Sequence, residues 1–212
     1  LSQPVIGADE TWWRLMGAKK SDSKANKRWT VWALCATDSV VYRLKDSRSG
    51  AAASEVLGEY DGTVMADGYS VYVTLGREGG LVVIHCWAHV RRKFVEAADF
   101  YPAETEPILD LIGELYGVER EAKDKSASLA ELGAMRAARS KPILKRIEAW
   151  AMEVRPLPES ALGKAISYMA KLWPGLTRFA DDPRIPLDNN ATERALRNVV
   201  VGRKSHYGSR SK

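Results

Sequence analysis

Cysteine, histidine and long apolar runs are scarce in this sequence, and their scarcity narrows the class of protein. The 212 residues include two cysteines, Cys35 and Cys86, each in apolar surroundings, which predicts buried free thiols in a reducing compartment and no disulfide framework. No apolar run approaches the roughly 20 residues that cross a bilayer, so we expect no membrane partner. The chain begins at Leu1 without a signal-peptide pattern, and we expect it to be a fragment of a longer protein.

Acidic residues are missing from the C-terminal end of the chain. Between Arg194 and Lys212 there are six Lys or Arg and no Asp or Glu, within a chain of net charge +5 and pI near 9.2. A basic end of this kind suits a polyanion such as nucleic acid, although a solvated tail has the same composition. The length allows one large domain or a core with an insertion.

The first 85 residues have the pattern of short strands alternating with short helices. The predicted elements are strands over 4–16, 28–36 and 40–44, a helix over 49–60, a strand over 62–66, a helix over 69–77 and a strand over 81–85. The first three strands are joined by polar connections over 17–27 and 37–39, which predicts an antiparallel meander. The whole order predicts an α/β fold with a mixed sheet covered by helices.

Residues 86–180 are predicted to be almost wholly helical, because apolar residues recur there at spacings of three and four. The polar stretch 123–128 and the prolines Pro156 and Pro158 separate helices, and Pro174 is predicted to end the last one. Three apolar stripes mark the helices: Trp87, Val90, Phe94, Ala98 and Tyr101; Ile108, Leu111, Ile112, Leu115 and Tyr116; Leu162, Ile166, Met169 and Trp173.

Two aspartates lie in unusual places in the predicted sheet. Asp9 is inside the first strand, where Asp is disfavoured, and Asp67 ends the fourth strand before a glycine. Each has an ordinary explanation, because Asp9 can point to solvent and Asp-Gly is a strong turn pair. If the first strand is central and the fourth lies beside it, the two carboxylates become neighbours. Such a pair favours a divalent cation, and Mg²⁺ prefers oxygen ligands of this kind.

Glu193 is a third candidate metal-binding acid, and the sequence around it leaves two roles open. The segment 185–197 predicts a helix that follows a run of turn and cap residues, with Glu193 in the first turn. There it either completes a capping box with Asn190 or joins Asp9 and Asp67 in a site for two metals about 3.5–4 Å apart.

The stretch around His85, Cys86 and His89 has zinc-ligand chemistry, but it needs a fourth ligand and Cys35 is the other thiol in the chain. We favour a helix that starts near Cys86. The basic run 91–93 then lies on the exposed surface, where it suits phosphates or forms a solvated face.

Six short motifs, taken in order, resemble the catalytic part of transposases of the insertion sequence 66 family, over about residues 5–204. Each motif is weak alone, but the ordered set is specific. The motifs are Ala8–Thr11 (ADET), Ala66–Tyr69 (ADGY), Cys86–Phe94 (CWAHVRRKF), Ser160–Tyr168 (SALGKAISY), Asp188–Arg194 (DNNATER) and Gly202–Lys204 (GRK).

The resemblance implies the RNase H-like fold of DDE recombinases: an α/β mixed sheet flanked by helices, with a mostly helical insertion before the last catalytic helix. It implies a core made of residues 1–93 and 181–212 and an insertion over 94–180. The separation of 126 positions from Asp67 to Glu193 is too long for one strand and one helix, which favours such an insertion.

The resemblance also implies a reaction, a cofactor and partners. Asp9, Asp67 and Glu193 are the implied catalytic and metal-binding residues, with Mg²⁺ as cofactor and Mn²⁺ as its substitute. The implied reaction is strand cleavage by water at transposon ends, followed by attack of the new 3′-hydroxyl on target DNA. DNA is the implied partner, on which the protein assembles as a homo-oligomer, at the nucleoid in the bacterial cytoplasm.

The residues expected to contact DNA share a basic or amide side chain within these motifs or beside them. They are Arg91, Arg92, Lys93, Asn189, Asn190, Arg194, Arg197, Arg203 and Lys204. Two alternatives stay open: an RNase H-like nuclease such as a junction resolvase, and a non-catalytic DNA-binding remnant of a mobile element.

Overall fold

The structure is a computed structural model that describes residues 3–14, 28–68, 70–78 and 80–205. The chain divides into two compact units, the first made of Leu1–Val83 with Asn189–Lys212 and the second of Ile84–Asp188. The predicted connection over 17–27 lies outside the described residues.

The first unit is built on a five-stranded mixed sheet, whose last strand in sequence crosses the unit boundary at Val83. Its strands are β1 (Val5–Arg14), β2 (Arg28–Cys35), β3 (Val40–Lys45), β4 (Thr63–Ala66) and β5 (Val82–His85), in the order β3-β2-β1-β4-β5. β1 pairs antiparallel with β2, β2 pairs antiparallel with β3, and β1 runs parallel to β4. The predicted meander, the mixed sheet and the central place of β1 beside β4 are therefore confirmed.

One face of the sheet is covered by α1 (Gly50–Leu57) and α2 (Ser70–Glu78). Ser49 starts α1, because its hydroxyl accepts a hydrogen bond from the Ala52 N–H at 3.3 Å. Ile6 and Ala8 of β1 pack in the same buried cluster as α1, and Tyr72 of α2 packs edge-on against Trp32 with ring centroids 6.3 Å apart. This cluster is the hydrophobic core of the unit.

The opposite face of β1 is covered by α8 (Asn190–Ser205). Side chains alternate along a strand, so Gly7 faces away from the cluster that holds Ile6 and Ala8. A Cβ added at Gly7 would lie 2.0 Å from Oγ1 of Thr192, a distance that only glycine avoids. At the other end of α8, Gly202 lies against Trp13. α8 therefore follows β1 in the same direction along the sheet.

The second unit consists of helices with a shared apolar core, as predicted. They are α3 (Trp87–Ala98), α4 (Pro102–Asp124), α5 (Leu129–Met135), α6 (Lys141–Glu153) and α7 (Ala161–Leu176), with a π-helical turn over Arg136–Ser140 and a 3₁₀ turn over Arg178–Ala180. Trp87, Val90 and Phe94 are fully buried, and Phe94 packs edge-on against Trp150 at 5.6 Å. None of the described helices combines the length and apolar character needed to cross a bilayer.

The prediction that Pro174 ends its helix is wrong by two residues, because α7 continues to Leu176. Pro174 lies in the last turn, where a missing N–H removes a single hydrogen bond. The Thr177 N–H still donates to the carbonyl of Trp173 at 3.1 Å, and Leu176 is buried in the core. Burial of Leu176 therefore outweighs the interruption.

Arg136 is a charged side chain buried at the centre of the second unit, with 1% of its surface exposed. Its Nε and one terminal nitrogen donate to the two carboxylate oxygens of Glu119 at 2.8 and 2.7 Å. Its other terminal nitrogen donates to the carbonyls of Phe179, Asp182 and Ile185 at 2.7, 3.2 and 3.0 Å. One guanidinium thus ties α4 to the segment that leads out of this unit.

Both cysteines are buried free thiols, as the sequence predicts. Cys35 pairs with Gly7 in the register of β1 and β2. Burial raises the pKa of the Cys35 thiol, with a smaller contribution from the negative charge of Asp9. The thiol is therefore held in its neutral form at neutral pH.

Candidate functional site

Asp9 and Asp67 lie on neighbouring parallel strands of the first unit. Asp9 is within β1, and Asp67 follows directly after β4. The register pairs Gly7 with Met65, so two further residues along each strand bring Asp9 opposite Asp67. Neighbouring strands are about 4.8 Å apart. The strand order thus brings the two carboxylates to the same place in the sheet.

Glu193 reaches the same region from α8. It lies in the first turn of that helix, where its N–H donates to the carbonyl of Asn189 at 3.1 Å. Asp9 shares the face of β1 with Gly7, against which Thr192 packs. Glu193 therefore directly follows Thr192, the residue whose contact with Gly7 holds α8 against β1.

The surroundings of Asp9 shift its pKa strongly. Burial is the largest cause, and repulsion from Glu10, Asp67 and Glu193 adds to it, so that the pKa of Asp9 is raised to about 7. The Glu10 N–H opposes this shift by donating to Oδ1 of Asp9 at 2.8 Å. The carboxylates of Asp67 and Glu193 therefore lie close enough to Asp9 for their negative charges to disfavour its ionisation. Positive charge placed among them would relieve the repulsion.

Glu10, the neighbour of Asp9 on β1, is a buried acid that the sequence motifs alone do not single out. Its side chain is 2% exposed, and Oε1 accepts a hydrogen bond from Nε of Arg48 at 2.6 Å. Oε2 accepts a hydrogen bond from the Tyr72 hydroxyl at 2.8 Å. Burial raises the pKa of Glu10, while Tyr72 and Arg48 oppose the rise. The signal was present, because two adjacent acids in a strand must face opposite sides of the sheet.

Asn189 fixes the start of α8 to β1. Its side chain is almost fully buried, and Nδ2 donates to the carbonyl of Ala8 at 3.1 Å. Thr192, also buried, completes the contact at Gly7. In this structure Asn189 therefore serves as an anchor beside Asp9, and its neighbour Asn190 is half-buried in the first turn of α8.

The predicted basic residues fall into two groups, one in each unit. Arg194, Arg197 and Lys204 are exposed on α8, the helix that carries Glu193. Arg203 is half-buried and bound to Thr11 and Trp12 of β1. The other group, Arg91, Arg92 and Lys93, is exposed on α3 of the second unit, where Lys93 pairs with Glu96 at 2.9 Å.

The raised pKa of Asp9 makes the stability of the metal-free protein depend on pH. An ordinary Asp ionises near pH 3.8, whereas folded Asp9 ionises near pH 7, so the folded state holds an extra proton between these values. We expect its contribution to lower the free energy of unfolding as pH rises from about 4 to about 7. Asp9→Asn removes this titration. Urea denaturation of both proteins in EDTA, at stepped pH, measures the difference, and parallel pH curves would contradict the raised pKa.

Comparison with known proteins agrees with the motifs. The family described as "Transposase IS66 family" matches residues 1–212, the whole chain. The uncharacterized protein y4jD of Sinorhizobium fredii is 32% identical over 219 residues, which cover 96% of this chain and 42% of y4jD. The uncharacterized protein y4qI of the same organism is 32% identical over 221 residues, which cover 94% of this chain and 40% of y4qI. The chain spans about two-fifths of the length of these relatives, and it belongs to the transposase IS66 family.

Proposed function

We propose that this chain carries the catalytic site of a DNA transposase, with Asp9, Asp67 and Glu193 as its catalytic carboxylates. One observation carries the proposal: the parallel register of β1 and β4 brings Asp9 opposite Asp67, and the contact of Thr192 with Gly7 seats Glu193 beside the same face of β1. Acids from β1, from the end of β4 and from α8 therefore act on one another. Family membership supports a transposase role. The strand order supports an RNase H-like core, into which we propose that the helical second unit is inserted.

The donor set fits a hard divalent cation. Mg²⁺ prefers oxygen ligands, and each ion is usually bound by one or two carboxylates together with waters and substrate phosphates, so three carboxylates can serve a site for two ions. Asp9, Asp67 and Glu193 would hold the ion, and its charge would let Asp9 ionise at neutral pH despite the burial that raises its pKa. Mg²⁺, or Mn²⁺ in its place, supplies charge that activates an attacking oxygen and stabilises a leaving one.

The chain itself contributes fixed positions for these carboxylates. Asp9 is held on a central strand, and the hydrogen bond from the Glu10 N–H orients its Oδ1. Glu193 takes its place from the contacts of Asn189 and Thr192 with β1. Because backbone elements set the geometry, the three groups are arranged before substrate binds, which is what rapid phosphoryl transfer requires.

The proposed reaction consists of two phosphoryl transfers. In the first, water attacks a phosphodiester at the transposon end, a P–O bond forms and the bond to the 3′-oxygen breaks, leaving a 3′-hydroxyl. In the second, that hydroxyl loses its proton to solvent and attacks a target phosphodiester, a new P–O bond forms, and the bond to the target's own 3′-oxygen breaks, so that this oxygen leaves as a 3′-hydroxyl after taking a proton from solvent. The protein forms no covalent bond to DNA in either step.

DNA contacts are proposed for exposed cations in both units. Arg194, Arg197 and Lys204 lie on α8, the helix of Glu193, and residues 91–93 form the basic face of α3. Side chains of this kind contact phosphates and fix the position of a duplex without reading its sequence. We further propose that a homo-oligomer assembles on the DNA, as the pairing of two transposon ends would require.

An assay for joining separates this function from the alternatives. A labelled duplex carrying the element's own end is incubated with the full-length protein, Mg²⁺ and a target plasmid. We expect both a cleaved 3′-end and labelled DNA joined to the plasmid. Cleavage without joining would favour an RNase H-like nuclease. Binding of the duplex without any cleavage would favour a non-catalytic remnant.

A further inference from the structure

Glu10 joins β1 to the helix that follows Asp67. Its side chain lies on the face of β1 opposite Asp9, where it is 2% exposed. Its Oε2 accepts a hydrogen bond at 2.8 Å from the hydroxyl of Tyr72, a buried residue in the first turn of α2. Trp32, the cross-strand partner of Glu10 on β2, packs edge-on against the Tyr72 ring. The hydrogen bond therefore lies in the hydrophobic core of the first unit.

The same residue orients Asp9 through its backbone. The Glu10 N–H donates to Oδ1 of Asp9 at 2.8 Å, so the peptide between the two residues helps to fix the Asp9 carboxylate. The Glu10 side chain is itself held at both oxygens, because Nε of Arg48 donates to Oε1 at 2.6 Å and Tyr72 donates to Oε2. Two hydrogen bonds in series thus lead from Tyr72 through Glu10 to the carboxylate of Asp9.

Asp67 lies where the pairing of strands no longer sets its position. It follows the last residue of β4 and precedes the first residue of α2. Within the described part of the chain, the ladder of β1 and β4 ends with the pair Gly7 and Met65, two residues before each aspartate. Burial raises the pKa of Glu10, and the negative charge of Asp67 adds to the rise, which agrees with their proximity. The contact of α2 with Glu10 is therefore a link between the two aspartates beyond the end of the ladder.

We propose that Glu10 and Tyr72 are positioning residues that hold Asp9 and Asp67 at the separation that a shared divalent cation requires. This role rests on the proposed function, since it is the metal site that needs the two carboxylates at a fixed spacing. Neither positioning residue touches the cation, because Glu10 faces the opposite side of β1 and the Tyr72 hydroxyl gives its hydrogen to Glu10. Side chains that hold metal ligands in place contribute about 10- to 100-fold to metal affinity.

Binding of Mn²⁺ to the full-length protein without DNA tests this role and needs no catalysis. Titration followed by electron paramagnetic resonance of free Mn²⁺ gives the dissociation constant. We expect Tyr72→Phe, which keeps the buried ring and removes only the hydroxyl, to weaken Mn²⁺ binding about 10-fold. Glu10→Gln should retain most of the affinity, because an amide accepts from Arg48 through its oxygen and donates to the Tyr72 hydroxyl through its nitrogen.

Tyr60→Phe is the matched control for loss of a buried hydroxyl. Tyr60 belongs to the same core cluster, and its hydroxyl donates to the carbonyls of Gln3 and Thr63 at 3.0 and 3.1 Å. These contacts lie at the end of the β1–β4 ladder that is remote from the aspartates. Urea denaturation should therefore show losses of stability of similar size in both phenylalanine variants, whereas Mn²⁺ affinity should fall in Tyr72→Phe and stay at the wild-type value in Tyr60→Phe.

A positioning role also predicts that added metal restores cleavage. In single-turnover cleavage of end duplex, Tyr72→Phe should need about 10-fold more Mg²⁺ for half of its maximal rate and should approach the wild-type rate at saturating Mg²⁺. A catalytic role for the hydroxyl would instead leave the rate low at every Mg²⁺ concentration, and that result would overturn the proposal.

The Mn²⁺ titrations separate failure of the positioning role from failure of the active site. Wild-type affinity in Tyr72→Phe, with affinity lost in Asp9→Asn, would overturn the positioning role and leave the proposed active site standing. A loss in Glu10→Gln but not in Tyr72→Phe would also overturn it, since the charge of Glu10 would then be the cause. Wild-type affinity in Asp9→Asn would overturn the proposed metal site, and the positioning role with it.

Discussion

Replacing Asp9 with asparagine is expected to reduce Mg²⁺-dependent DNA cleavage by at least about 100-fold while the metal-free fold becomes more stable at pH 7. Removing a side chain that only hydrogen-bonds to a metal ligand lowers activity about 10–100-fold, so removing a ligand itself should lower activity at least as much. Stability changes in the opposite direction, because burial and repulsion from Asp67 and Glu193 penalise the charged form of Asp9 alone. Asparagine is nearly the same size and carries no charge.

The opposite signs of the two effects make Asp9→Asn informative. Single-turnover cleavage of end duplex and urea denaturation in EDTA measure activity and stability on the same preparations. Asp61→Asn is the matched control, since Asp61 is an exposed acid just before β4, and both of its measurements should equal the wild type. Cleavage at the wild-type rate in Asp9→Asn would remove Asp9 from the site. Joint loss of activity and stability would assign it a structural role instead.

The sequence predicted the sheet because its signals are local. Apolar runs of strand length mark β1, β2 and β3, and short polar connections indicate an antiparallel meander. The position of Asp9 was notable for a local reason too, since a carboxylate is disfavoured within a strand. The proximity of Asp9 and Asp67 was predicted on the condition that the fourth strand lies beside the first, and the structure meets that condition with a parallel pair.

Other features could not be predicted because they depend on residues far apart in the chain. Glu10 is satisfied by Tyr72, 62 positions away, and Arg203 reaches Thr11 across 192 positions. No local pattern contains both members of such a pair. Trp12 and Trp13 look alike in sequence, yet the twist and register of β1 place Arg28 and Arg203 over Trp12. Buried polar contacts of this kind are determined by the completed fold.

Arg136→Met is expected to lower the free energy of unfolding of the second unit by about 3–5 kcal/mol. The guanidinium satisfies both oxygens of Glu119 and three carbonyls, and it is 1% exposed. Methionine fills much of the same volume, so the loss comes from polar groups left without a donor. Arg136→Lys should also be destabilised, because one ammonium group cannot reach a carboxylate and three carbonyls on different segments.

Arg139 provides the control from the same π-helical turn, since in sequence the two arginines are indistinguishable. It is exposed and pairs at the surface with Glu121, so Arg139→Met should change stability little. Urea denaturation compares the variants, and hydrogen exchange read by mass spectrometry on peptides of α4 and α7 locates the loss in the second unit. Equal stabilities for Arg136→Met and Arg139→Met would show that the buried contacts of Arg136 do not hold this unit together. A loss confined to Arg136→Met and Arg136→Lys would show that burial of one guanidinium among carbonyls decides the stability of the helical unit.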